Sequence, residues 1–195
     1  MGTRGVFLDR DGTINVEVNF LRSPGELMLI PGAARAIRRL NDAGFPVCMI
    51  SNQSGIARGF LTEEDLGPIH EKLREELSRE GAHLDALYYC PHHPTAGIPP
   101  YNIACECRKP KTGMLHQGAK EFGLSLASCH VVGDRIVDVQ VGHAVGAATS
   151  LVLTGYGRTS VEECREAGVA PDVVVPSIVE AVDRILDNVH QGKDV

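Results

Sequence analysis

Val6-Phe7-Leu8-Asp9-Arg10-Asp11-Gly12-Thr13-Ile14 is the stretch around which the whole chain is organised. Three apolar residues make the short run expected of a buried strand, and two carboxylates two positions apart close it. In extended backbone, residues i and i+2 face the same side, so Asp9 and Asp11 project into one site. Gly12 then permits a turn that a side chain would resist. Two carboxylates this close repel unless one is protonated or a cation lies between them. An oxygen-seeking dication such as Mg²⁺ meets that need.

Beyond this stretch, strand and helix patterns alternate. The irregular segment from Asn15 to Pro31 leads to a helix with Ala33, Ala36, Ile37 and Leu40 on one face, stopped at Gly44. Phe45 to Ile50 reads as the second strand, ending in Ser51-Asn52-Gln53-Ser54-Gly55. Thr62 caps a second helix with Asp65 three residues on, Leu66, Ile69, Leu73 and Leu77 mark its buried face, and Gly81 ends it. The spacing then predicts a strand over Leu84–Tyr89, a long Pro- and Cys-containing loop through Pro110, and a helix over Gly113–Phe122. A strand over His130–Asp134, a helix over Ile136–Val145 and a strand over Ser150–Leu153 follow. A short helix over Val161–Ala167, a strand over Asp172–Val175 and a last helix from Ile178 to about Val189 complete the pattern. Such alternation argues for an α/β protein whose parallel sheet is covered on both faces. Polar residues follow strands one, two and four, where open α/β sheets bind ligands.

The chain of 195 residues fits a single domain, 1–195. A net charge of −6 gives no electrostatic support for a nucleic-acid partner. The first residues reach Arg4, Asp9 and Arg10 without an apolar signal run, and no apolar stretch is long enough for a membrane span. A cytoplasmic protein with no membrane partner is expected. The polar tail Gln191–Val195 is expected to fray. Cys48 lies in an apolar strand and reads as core.

Of six cysteines, three cluster with a histidine. In a reducing compartment this suggests metal rather than disulfides. Cys90-x-His92 with Cys105-x-Cys107 supplies four ligands suited to tetrahedral Zn²⁺, and four filled positions argue for a structural site holding the loop 90–107. His93 is the alternative to His92. Cys107-Arg108-Lys109-Pro110-Lys111 sets three cations beside a helix start, so zinc would also position phosphate-binding groups. Gly133-Asp134-Arg135-Ile136-Val137-Asp138 puts an acid at a strand end and another four residues on.

In order, the runs at Asp9-Arg10-Asp11, Ser51-Asn52, Lys109 and Gly133-Asp134 resemble the four motifs of haloacid dehalogenase-like phosphatases. The longer run Ser51–Gly59 and the zinc quartet are similar to the subfamily of D,D-heptose 1,7-bisphosphate and histidinol-phosphate phosphatases, with the heptose branch the better match. The resemblance implies a Rossmann-like fold with a minimal cap and a zinc-bound loop. It implies that Asp9 is the nucleophile, forming an aspartyl-phosphate, and Asp11 the general acid and base. Ser51 and Lys109 would stabilise the transferring phosphoryl group. Mg²⁺ would be held by Asp9, the main-chain carbonyl of Asp11, and Asp134. Substrate contacts would come from Ser51, Asn52, Gln53, Ser54, Arg108, Lys109 and Arg135, the last standing where Lys is often found, which changes the geometry. The loop Glu17-Val18-Asn19-Phe20 would help bind the sugar. Asp138 could either support the loop or cap the following helix.

The implied reaction removes the C7 phosphate of D-glycero-D-manno-heptose 1,7-bisphosphate, leaving heptose 1-phosphate for nucleotide-activated heptose synthesis. Histidinol phosphate is the rival substrate. A non-catalytic metal-dependent binding protein is the rival of another class, against which stands the presence of Asp9, Asp11, Lys109 and Asp134 together. A monomer acting on a small sugar phosphate is expected.

Overall fold

A computed structural model describes residues 3–190, and the tail Gln191–Val195 lies outside the described residues. Six parallel strands form one sheet: β1 (Val6–Leu8), β2 (Val47–Asn52), β3 (Ala86–Cys90), β4 (His130–Gly133), β5 (Ala148–Val152) and β6 (Val173–Val175), in the order β3-β2-β1-β4-β5-β6. The chain winds outward from β1 to β3, then returns to place β4 on the other side of β1. That reversal opens a crevice beyond the carboxyl ends of β1 and β4.

Alternation along the strands sorts the core into two layers. Val6 and Leu8 of β1 and Val47 and Met49 of β2 face one layer, while Phe7, Cys48 and Ile50 face the other. The first layer is covered by α1 (Ala33–Asp42), α3 (Glu63–Ser78) and α7 (Ile178–His190), and the second by α4 (Gly113–Phe122) and α5 (Ile136–Ala144). The expected stripe of α1 is buried as read, with Ile37 and Leu40 fully so, each such side chain contributing about 1.5–3 kcal/mol. Thr62 and Asp65 form a reciprocal cap on α3: the Asp65 N–H donates to Thr62 Oγ1 at 3.2 Å, and the Thr62 N–H donates to the Asp65 carboxylate at 2.8 Å.

The structure differs from the sequence reading in several places: β2, β3 and β5 are each shifted by one or two residues at their ends. The one-turn helix α2 (Ser54–Ala57) directly follows the second strand, and four residues are too few to show a period. The helix expected over Val161–Ala167 is longer, α6 (Gly157–Ala167). The segment before α1 holds only a 3₁₀ turn, Pro24–Glu26, yet it buries Leu21, Leu27 and Ile30.

Candidate active site

Asp9 leaves the end of β1 with its N–H bonded to the Val132 carbonyl, so the sheet itself fixes the carboxylate at the crevice. Lys109 reaches it from the far side of the cavity. Its Nζ donates to Asp9 Oδ1 at 2.7 Å and to the Ile50 carbonyl at 2.9 Å, and it lies 2.6 Å from Asp138 Oδ1. Desolvation opposes the charge of so buried a lysine, but Asp138 and Asp9 together outweigh it and hold the ammonium above its ordinary range. Asn52 secures the lysine: its amide donates to the Lys109 carbonyl at 3.1 Å and accepts from the Lys109 N–H at 3.0 Å. Asn52, expected to contact substrate, lines the cavity while its amide also holds the Lys109 main chain.

Asp11 stands at the same cavity in a net of donors. Arg10 Nη2 approaches it at 2.7 Å, Asn15 Nδ2 at 3.0 Å and Gln53 Nε2 at 2.9 Å. Burial alone would raise this carboxyl, yet the Arg10 guanidinium and the other donors hold it below the ordinary aspartate value. Gln53 Nε2 also donates to Ser51 Oγ at 2.7 Å. Because that oxygen accepts from Gln53, the Ser51 hydroxyl proton is free to donate into the cavity.

Asp134 follows β4, and its Oδ2 accepts from the Tyr156 N–H at 2.7 Å. A Cβ at Gly12, where φ is +81°, would sit 2.2 Å from the same oxygen, so this turn of the first motif admits only glycine. Asp138 resolves both alternatives. It caps α5 by accepting from the Arg135 N–H at 3.0 Å, and it pairs with Lys109. A Cβ at Gly133 would fall 2.3 Å from the Asp138 carboxylate.

Three carboxylates thus converge, and one ammonium pairs with two of them. Oxygens of Asp9, Asp134 and Asp138 lie within 4.8 Å of one another. Burial pushes Asp9 up to about 7, even against Lys109, and pushes Asp134 up to about 8, with repulsion from Asp9 and Asp138 adding to it. Asp134 Oδ1 is buried with no hydrogen-bond partner. Excess negative charge and an orphaned oxygen in an all-oxygen site fit a hard dication such as Mg²⁺. The Asp11 carboxylate lines the cavity but is occupied by its own net of donors, so its main-chain carbonyl is the group it can offer to a metal.

The second cluster is equally definite. Cys90 Sγ lies 3.4 Å from Cys105 Sγ, Cys107 Sγ lies 3.3 Å from Cys105 Sγ, and His92 Nδ1 stands 3.8 and 3.5 Å from Cys90 and Cys107. These sulfurs are much too far apart for disulfides. A tetrahedral ion with metal–sulfur bonds of about 2.3 Å spaces its ligands a little under 4 Å apart, and the quartet fits Zn²⁺. His93 faces away: its Nδ1 accepts from the N–H groups of Thr95 and Ala96 at 3.3 and 3.0 Å. Arg108, directly after Cys107, donates to the His92 carbonyl at 3.1 Å, so the metal loop and the basic run are physically tied.

A cavity of about 550 Å³ collects these groups. Asp9, Asp11, Glu17, Asn19, Phe20, Ser51, Asn52, Gln53, Ser54, Arg108, Lys109 and Arg135 all line it. Val18, expected with its neighbours, does not; it turns into an adjoining apolar recess with Ile30 and Pro31. Asn19 and Phe20 both take left-handed φ values, 54° and 76°; Glu17 and Asn19 line both the cavity and the recess, whereas Val18 lines the recess alone. Sequence reasoning missed Arg10, Arg58, His93 and Tyr156. Arg10 is fully buried and braces Asp11. Tyr156 stacks under Arg135, whose guanidinium carbon lies 4.1 Å from the ring centroid. Arg58 was visible only as part of the Ser51–Gly59 run.

A buried aspartate paired to a lysine, with further acids at the next strand, at the crevice of a 3-2-1-4-5-6 parallel sheet, defines a haloacid dehalogenase-like hydrolase. Residues 106–181 match the HAD-hydrolase-like family model. The D-glycero-beta-D-manno-heptose-1,7-bisphosphate 7-phosphatase of Yersinia pestis is 37% identical, over 90% of this chain and 91% of its own. The enzyme of that name from Haemophilus ducreyi is 36% identical over 93% and 98%. The solved D,D-heptose 1,7-bisphosphate phosphatase from B. bronchiseptica, complexed with magnesium and phosphate, superposes with a TM-score of 0.83 at 34% identity, covering 95% of this chain and 99% of that one. The chain belongs to the heptose-1,7-bisphosphate 7-phosphatase family. Among the described residues no helix is long and apolar enough to cross a membrane.

Proposed function

We propose that this protein is a Mg²⁺-dependent phosphomonoester hydrolase that removes the C7 phosphate of D-glycero-D-manno-heptose 1,7-bisphosphate and leaves heptose 1-phosphate. The observation that carries the reading is the Asp9–Lys109–Asp138 arrangement beside Asp134, opening on a cavity with Ser51, Arg108 and Arg135 on its walls. The names of the relatives support the substrate, and two of them specify the β anomer.

Each step falls to a side chain already described. The Asp9 carboxylate attacks phosphorus, and the bond to the sugar oxygen breaks. Lys109 and the Ser51 hydroxyl take up charge on the phosphoryl oxygens. Asp11 gives a proton to the leaving sugar oxygen; it then removes one from the water that hydrolyses the aspartyl-phosphate, restoring Asp9. Its net of donors favours the ionised form needed in that second half. When bound, Mg²⁺ held by Asp9, Asp134 and the Asp11 carbonyl would supply positive charge against the approaching phosphate dianion. Arg108 and Arg135 would hold the substrate, and Glu17, Asn19 and Phe20 would meet the sugar. Zn²⁺ on Cys90, His92, Cys105 and Cys107 would keep the loop 90–107 in place. We take the chain to be one domain, 1–195, acting as a cytoplasmic monomer with no nucleic-acid partner.

Phosphate release from both anomers of the heptose bisphosphate and from histidinol phosphate, with Mg²⁺ and with EDTA, tests this reading, provided zinc content is measured after chelation. Mg²⁺-dependent turnover favouring a heptose anomer is expected. Preference for histidinol phosphate would move the enzyme to the other substrate. Activity surviving in Asp9→Asn would overturn the mechanism.

A further inference from the structure

Arg58 and His93 face each other across the cavity wall in a contact that neither satisfies alone. Two main-chain N–H groups, those of Thr95 and Ala96, donate to His93 Nδ1. An accepting nitrogen carries no proton, so the network assigns the proton of the neutral ring to Nε2. Nε2 lies 3.5 Å from Nη2 of Arg58, and a guanidinium has only donors. Two donors therefore meet head-on, an arrangement that improves when a third group accepts from both.

The juxtaposition is built in by packing. Arg58 follows α2, and the metal loop that carries His93 docks on the same helix through the Ile98 N–H, which donates to the Ala57 carbonyl at 2.8 Å. The approach is close enough that a Cβ on Gly97 would come within 2.1 Å of the Ala57 oxygen. Arg108 lines the cavity beside them. Cations crowded with donors and short of acceptors select an anion.

We propose that Arg58 and His93 bind the phosphate that the reaction leaves in place, and that they are specificity-determining residues which make the site prefer a bisphosphate to a monophosphate. One phosphate oxygen accepts from Arg58 Nη2 and His93 Nε2 in charge-assisted bonds, while the other phosphate meets Asp9. This rests on the bisphosphatase reading above.

The test compares kcat/KM for D-glycero-D-manno-heptose 1,7-bisphosphate and for the corresponding 7-phosphate in wild type, Arg58→Met, His93→Asn and His93→Gln. Asn keeps an acceptor at the δ position for the turn and removes the ε donor; Gln restores a donor near the ε position. The bisphosphate-to-monophosphate ratio is expected to fall about tenfold or more in Arg58→Met and His93→Asn, and to recover in part in His93→Gln. Zinc content is measured on every variant, and Arg58→Met lies outside the metal quartet, so loss of the loop cannot imitate the result. Wild-type ratios in both Arg58→Met and His93→Asn would overturn the inference. A wild-type enzyme indifferent to the second phosphate would overturn the functional reading beneath it.

Discussion

Asp11 and Gly133 carry the sharpest expectations at the scale of single residues. Asp11→Asn keeps the size of the side chain and removes its proton transfer, so kcat should fall by about 10²–10⁴-fold; phosphate release under saturating Mg²⁺ measures it, and a loss of less than tenfold would remove Asp11 from its role. Gly133→Ala should drive the new methyl into the Asp138 carboxylate, 2.3 Å from where it would sit. Displacing Asp138 also frees Lys109. A stability loss of about 1–3 kcal/mol is expected from such overpacking, read as a lower urea midpoint with reduced turnover. An unchanged midpoint would show that α5 gives way without cost. The chemistry-bearing residues Asp9, Asp11, Lys109 and Asp134 were legible in the sequence because their types and order are themselves the signal. Arg10, His93 and Tyr156 were not: Arg10 folds back on its neighbour Asp11, Tyr156 stacks on the distant Arg135, and His93 is turned by a loop that periodicity does not reveal. Val18, expected to meet the sugar with its neighbours, lines the adjoining recess rather than the main cavity, a placement set by a loop path with positive φ at Asn19 that no periodicity reveals.

The metal loop decides matters at the scale of elements. It has no regular structure of its own between β3 and α4, and it is held by the quartet, by docking on α2, and by Glu63. That carboxylate accepts from both Tyr89 and Tyr101, at 2.6 and 2.9 Å. Removing zinc by chelation, or by Cys105→Ser, should therefore raise amide exchange over residues 91–112 and lower turnover through Arg108 and Lys109, while α1 and α7, to which none of these loop contacts run, stay protected. Full activity with an empty quartet would break the proposed link between zinc and the basic run. The helices with a long apolar stripe, α1 and α3, were readable nearly to the residue. Short elements were not: α2 is one turn, and the loop between β3 and α4 forms no helix or strand whose period could be read.

Taken as a whole molecule, the protein gathers its charged chemistry at one end of the sheet and leaves neutral histidines inside. Burial, with Arg10 nearby, depresses His70 to about 4, and burial, with Arg4 nearby, does the same to His130. An unfolded histidine takes up its proton near 6.5, whereas these do so only near 4, so between those values the unfolded chain binds more protons. Their contribution is intact above about pH 6.5 and is lost as pH falls toward 4, by about 3 kcal/mol for each residue. In urea titrations with excess Mg²⁺, which keeps the acidic cluster ionised, His130→Gln should lose less stability than wild type over this window; parallel curves would show that His130 already charges in the folded state. Strand–helix alternation made the parallel sheet readable, and polar residues after strands one, two and four marked its functional end. The convergence of Asp138 and Lys109, and of Arg58 and His93, depends on contacts across 29 and 35 positions, which no local pattern encodes.

The most direct measurement is ³¹P NMR of D-glycero-D-manno-heptose 1,7-bisphosphate during turnover with Mg²⁺. Loss of the C7 phosphomonoester signal, growth of inorganic phosphate and an anomeric phosphate that remains in place are expected. Release of the anomeric phosphate, or no release while zinc and fold are intact, would contradict the assigned reaction.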